Sequence, residues 1–164
     1  MINNLQNKIQ QASNTPSDIN EHINTLLEYS KECSSIIEMG VRGICTTWAF
    51  LGGLPNRLTS YDIQHPSKWG GNIEEVYNIA NENGIKFDFI QADVLKIDIE
   101  QTDLLFIDTW HAYNQLSQEL AKHHNKVNKY IICHDTTSFE FTDEKSYEMW
   151  GWKGEDKGLW PAVE

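Results

Sequence analysis

Three short apolar runs in this chain each end in polar residues, and this pattern constrains the fold more than any other feature. Ile36-Ile37 leads into Glu38-Met39-Gly40-Val41-Arg42-Gly43. Leu104-Leu105-Phe106-Ile107 leads into Asp108-Thr109-Trp110-His111. Tyr130-Ile131-Ile132-Cys133 leads into His134-Asp135. Apolar runs of this length suit strands buried on both faces of a parallel sheet. Two further strands are expected over 58–63 and 86–92. Helices are expected over 17–31, 44–51, 72–83 and 113–124, with glycines or prolines closing several of them. A last helix begins near 158. Strands and helices that alternate in this way specify an α/β doubly wound, mostly parallel Rossmann-like sheet with helices on both faces. Such a sheet binds its ligand at the carboxyl ends of its strands, where the strand order reverses. All three polar endings belong on that rim.

The chain is 164 residues long, enough for one domain with its own core. Residues 1–16 are rich in Asn and Gln and read as a polar, partly ordered lead-in, with no apolar core of a secretory signal. No apolar run approaches the roughly 20 residues that span a bilayer. Cys33, Cys45 and Cys133 are odd in number and lack CxxC spacing, so free thiols in a reducing cytoplasm are expected. Lys and Arg total 13 against 24 acids, a net charge of −11, with no basic cluster. Phosphate binders gather cations on one face. Nucleic acid and anionic membrane are therefore excluded as partners, and a small neutral or cationic substrate fits better.

In this order along the chain, the strand endings resemble those of the class I S-adenosylmethionine (SAM)-dependent methyltransferases. Within that class the likeness is to the small metal-dependent branch acting on sugars and natural products, the macrocin/cephalosporin-hydroxylase-like enzymes. It spans about 36–137. The resemblance implies that Glu38, Gly40 and Gly43 form the first cofactor motif. Asp62 would hold the cofactor ribose and Asp93 would lie near the adenine. Asp108, His134 and Asp135 would bind a divalent metal, Mg²⁺ or Mn²⁺, and His111 would be the general base. The implied reaction is methyl transfer to a hydroxyl of a sugar or small polyol.

Elementary chemistry agrees with these roles. Glycines let backbone approach a ligand closely, a carboxylate accepts both ribose hydroxyls, and paired carboxylates suit a hard cation. The branch carries Glu-Asp where this chain has His134-Asp135, and imidazole favours Mn²⁺, Fe²⁺ or Zn²⁺ over Mg²⁺. The fold also ordinarily ends in two more strands. A shortened form is expected here, its fifth strand at an open edge that invites homo-oligomers. Each site residue also has a plain structural reading: Glu38 and the glycines as a strand-helix turn, Asp62, Asp108 and Asp135 as caps, Asp93 as a turn acid, His111 as a solvated first-turn histidine and His134 as a hydrogen-bonded structural histidine. Trp150 and Trp152 read as a hydrophobic plug or a lid. A non-catalytic binding module and a nucleotide-binding Rossmann domain are the competing functions.

Overall fold

The computed structural model describes residues 4–164, except for the side chain of Trp150, so that half of the plug-or-lid reading lies outside the described residues. Five strands form one parallel sheet: β1 (Ser35–Met39), β2 (Arg57–Asp62), β3 (Lys86–Gln91), β4 (Thr102–Ile107) and β5 (Val127–Cys133), in the order β3-β2-β1-β4-β5. This is the expected doubly wound α/β sheet, and its order reverses between β1 and β4.

Alternation along the strands divides the core into two layers. Ile36, Leu104 and Phe106 point into one cluster with Phe50, Val76 and Ile79. Ile37, Met39, Leu105 and Ile107 point into the other with Leu116 and Leu159. The helices α2 (Ile23–Ser30), α3 (Thr46–Gly52) and α4 (Ile73–Glu82) supply buried side chains to the first layer. Helix α5 (Tyr113–His123) and the short α6 (Trp160–Val163) cover the second. The amphipathic α4 shows why the local sequence folds as it does. Asn72 caps it by accepting from the Glu75 N–H at 3.3 Å, Glu74 and Glu75 sit in its first turn, and Val76, Ile79 and Ala80 are buried.

One element departs from the sequence reading. The expected polar lead-in contains a helix, α1 (Asn4–Asn14), with Leu5, Ile9 and Ala12 buried. Their spacing of four and three places all three on one face despite the surrounding amides. Packing against α3 is close: a Cβ on Gly52 would lie 2.6 Å from the Ile9 and Leu27 side chains.

Candidate functional site

The hydrogen-bond ladder runs past the strand ends and gathers the site. Gly40 N–H donates to Tyr61 O at 2.8 Å, Asp108 N–H to Met39 O at 2.8 Å, and His134 N–H to Ile107 O at 3.0 Å. The glycine turn after β1, Asp108 after β4 and His134 after β5 therefore stand side by side on the rim at the switch point. Gly40 is required there. Its φ is +92°, and a Cβ would sit 1.9 Å from the Asp108 carbonyl oxygen. Gly43 is under no such demand, since a Cβ would meet only Trp69 O, at 3.7 Å. The turn is strained elsewhere: Arg42 and the β-branched Ile44 have φ of 46° and 65°.

Glu38 does not face the rim. It is fully buried and accepts hydrogen bonds from Thr46, Thr47 and Ser60, which fasten the start of α3 to β1 and β2. Burial raises its carboxyl to about 7, against the pull of the three hydroxyls. Expected as a member of the cofactor motif, it lies beneath the turn with no surface open to a ligand. Asp62 is on the rim, but its oxygens already hold the turn. One accepts from Val41 N–H at 2.8 Å and Arg42 N–H at 2.9 Å, the other from Gln64 N–H at 2.8 Å. Asp93 accepts from Leu95 N–H at 3.0 Å and pairs with Lys96 at 3.0 Å, the arrangement of a turn acid. Both lone pairs of Asp62 Oδ2 are taken, while Asp62 Oδ1 and each oxygen of Asp93 keep one for a further donor.

The second half of the site is a cluster of Asp108, His111, His134 and Asp135, whose ligand-type atoms all lie within 4.8 Å of one another. Asp108 Oδ1 is 3.0 Å from His111 Nε2 and 3.2 Å from His134 Nδ1. Asp135 Oδ2 is 3.6 Å from His111 Nε2 and 3.5 Å from His134 Nδ1. Asp135 reaches this position with φ of 56°, a left-handed conformation that Asp tolerates. Burial works against the charges of Asp108, His111 and His134, and their partners outweigh it. The two histidines bring the Asp108 carboxyl down to about 2, while Asp108 and Asp135 hold both imidazoles above their ordinary range. Two carboxylates and two imidazoles at this spacing form a donor set that fits a divalent cation, and their mixture suits Mn²⁺, Fe²⁺ or Zn²⁺.

No family model matches the chain, and no curated protein matches it in sequence. Solved structures do match in shape. A methyltransferase of Podospora anserina with S-adenosylhomocysteine (SAH) bound superposes with a TM-score of 0.57 at 12% identity, over 82% of this chain and 62% of that one. An O-methyltransferase of Bacillus cereus in complex with SAH gives 0.55 at 19% identity, over 79% and 64%. A protein of Corynebacterium glutamicum gives 0.60 at 13% identity, over 92% and 74%. The chain has the Rossmann-like methyltransferase fold. It spans less than two thirds of the length of the first two of these structures.

The segment after β5 closes over the rim with Asp143, Glu144 and Tyr147, which the sequence pattern did not single out, and with Trp152, which it did. Asp143, 2% exposed, accepts from Tyr113 N–H at 2.9 Å, Asp156 N–H at 2.7 Å and Gly158 N–H at 2.8 Å. It thereby caps α5 from a distance and clasps the two ends of the segment together. Glu144 lies against His111, its Oε2 3.0 Å from Nδ1. Tyr147 and Trp152 stack on each other at 5.3 Å, and both contact Trp110. Below the rim, the fully buried Glu119 accepts from Thr109 Oγ1 and Gln115 Nε2, each at 2.7 Å, and so braces the loop that carries His111. The three cysteines are free, as expected.

Proposed function

We propose that this chain is a SAM-dependent O-methyltransferase, with a divalent cation assisting and a hydroxyl of a sugar or small polyol as acceptor. The observation that carries the reading is the adjacency of the glycine turn to the Asp108–His111–His134–Asp135 cluster, where Gly40 leaves no room between itself and the Asp108 backbone. A methyl donor and a cation-held acceptor need that adjacency, because methyl transfer depends mainly on alignment of oxygen, methyl carbon and sulfur. The SAH-bound neighbours of the same fold support the choice of donor.

The donor would lie along the Gly40–Gly43 turn, with Asp62 on its ribose and Asp93 toward its adenine. When bound, SAM supplies an electrophilic methyl, and a divalent cation lowers the pKa of an acceptor hydroxyl. Asp108, His134 and Asp135 hold the cation, with His111 at the same centre. Asp108, with its carboxyl held at about 2, stays ionised across the physiological range. The net charge of −11 favours a neutral or cationic small acceptor over nucleic acid. Transfer of label from methyl-labelled SAM to a panel of sugars and polyols, with Mn²⁺ and with EDTA, tests the proposal. Metal-dependent labelling supports it, and labelling indifferent to EDTA removes the cation from the mechanism.

One observation favours a second reading, a non-catalytic binding module. The oxygens of Asp62 already hold three backbone N–H groups of the chain itself. SAH binding with no turnover on any acceptor would select it.

A further inference from the structure

Glu144 is placed against His111 by its backbone as well as by its charge. Its N–H donates to His111 O at 2.7 Å, and its carbonyl accepts from Trp110 Nε1 at 3.2 Å. The two bonds hold it beside the Trp110-His111 pair whatever its side chain does. The carboxylate then sits with Oε2 3.0 Å from His111 Nδ1. Nδ1 is buried and makes no hydrogen bond, with Oε2 the carboxylate oxygen beside it. On the other side of the ring, Nε2 is aimed into the cluster, 3.0 Å from Asp108 Oδ1 and 3.6 Å from Asp135 Oδ2. Phe139 stacks on the ring at 4.9 Å and 15°, which fixes its plane.

We propose that His111 is a fourth ligand of the cation through Nε2, and that Glu144 is the positioning residue that holds it there by accepting the Nδ1 proton. The proposal rests on the cation reading above. A general base needs a lone pair open to the acceptor. Nδ1 is buried beneath Glu144 and Nε2 lies inside the donor cluster, so neither is open. A metal-bound imidazole, by contrast, gives its other N–H to a carboxylate, which fixes its tautomer and strengthens it as a ligand. Bonds of about 2.1–2.2 Å set donors up to about 4.4 Å apart across an ion. The four donor atoms here lie within 4.8 Å, so a small contraction closes the centre.

Calorimetric Mn²⁺ titration of the full chain, with pulsed electron paramagnetic resonance to count directly bound imidazoles, tests the assignment. Wild type should show two imidazoles. Glu144→Ala should bind Mn²⁺ roughly 10- to 100-fold more weakly, and Glu144→Gln, whose amide oxygen can still accept the Nδ1 proton, should recover most of that loss. His111→Ala should weaken binding and leave one imidazole. A one-imidazole wild-type centre, or wild-type Mn²⁺ affinity in folded Glu144→Ala and His111→Ala proteins, overturns the assignment while the cation reading stands. A wild-type protein that takes up no Mn²⁺ overturns both.

Discussion

Replacing Glu38 by Gln should make the protein more stable at pH 8 and leave it nearly unchanged at pH 4.5. Glu38 is fully buried, and burial raises its carboxyl from 4.5 to about 7 against the hydrogen bonds of Ser60, Thr46 and Thr47. The folded state therefore holds this proton to higher pH than the unfolded chain does. For an acid with a raised folded pKa, stability is full below about 4.5, falls as pH rises through the window, and levels off above about 7. At about 1.4 kcal/mol per pH unit, a gap of about 2.5 units amounts to about 3 kcal/mol lost by pH 8. A glutamine has the same shape and no charge, and the three hydroxyls can rotate to donate to its oxygen or accept from its amide. Subtracting the variant's stability from the wild type's, measured by urea unfolding every half unit from pH 4.5 to 8.5, isolates the one carboxyl. Glu119, also raised to about 7 by burial, titrates equally in both proteins and cancels. A wild type that becomes the more stable protein as pH rises would refute the reasoning. Three charge-assisted hydrogen bonds would then have outweighed burial.

Gly40→Ala should destabilise the fold by about 2–4 kcal/mol, because its Cβ has no room against the Asp108 carbonyl, and thermal unfolding will read this directly. Gly43→Ala should leave stability within about 0.5 kcal/mol, since its Cβ would meet only Trp69 O, yet weaken SAH binding if the donor lies along this turn as proposed; unchanged affinity places the donor elsewhere. Asp143→Ala strands three backbone donors and should cost about 3 kcal/mol or more, with hydrogen exchange fastest over 143–158; protection equal to wild type there would contradict the clasp. Among the described residues β5 pairs only with β4, and its free edge should promote self-association; light scattering that finds a monomer at high concentration would count against that.

The strands were legible because a central parallel strand must be apolar on both faces. Leu104 to Ile107 announce β4 without help from the rest of the chain. The same logic placed Asp108, His111, His134 and Asp135 together, because consecutive strands of such a sheet end on one rim. What was not legible depends on contacts distant in sequence. Asp62 at the end of β2 was visible as a rim acid, but nothing local shows that it holds Val41 and Arg42, some twenty positions back. Glu38 looked like a ligand residue because its neighbours in the sequence are the turn glycines. Strand alternation turns its side chain inward, toward Ser60 and the start of α3. Asp143 and Glu144 lie beyond the last strand, where periodicity fades, and their roles come from the Tyr113 amide and the His111 ring. Helix α1 was obscured by its own amides, although the spacing of Leu5, Ile9 and Ala12 was there to be read.

The proposed function requires that the glycine turn after β1 and the acid after β2 form a SAM site. Calorimetric titration of SAH into the wild-type chain and into Asp62→Ala, with NAD as the competing ligand, tests it most directly. SAH should bind wild type saturably and one to one, bind the variant more weakly by roughly 1–3 kcal/mol, and NAD should give no heat. Saturable binding of NAD with none of SAH would contradict the proposed function.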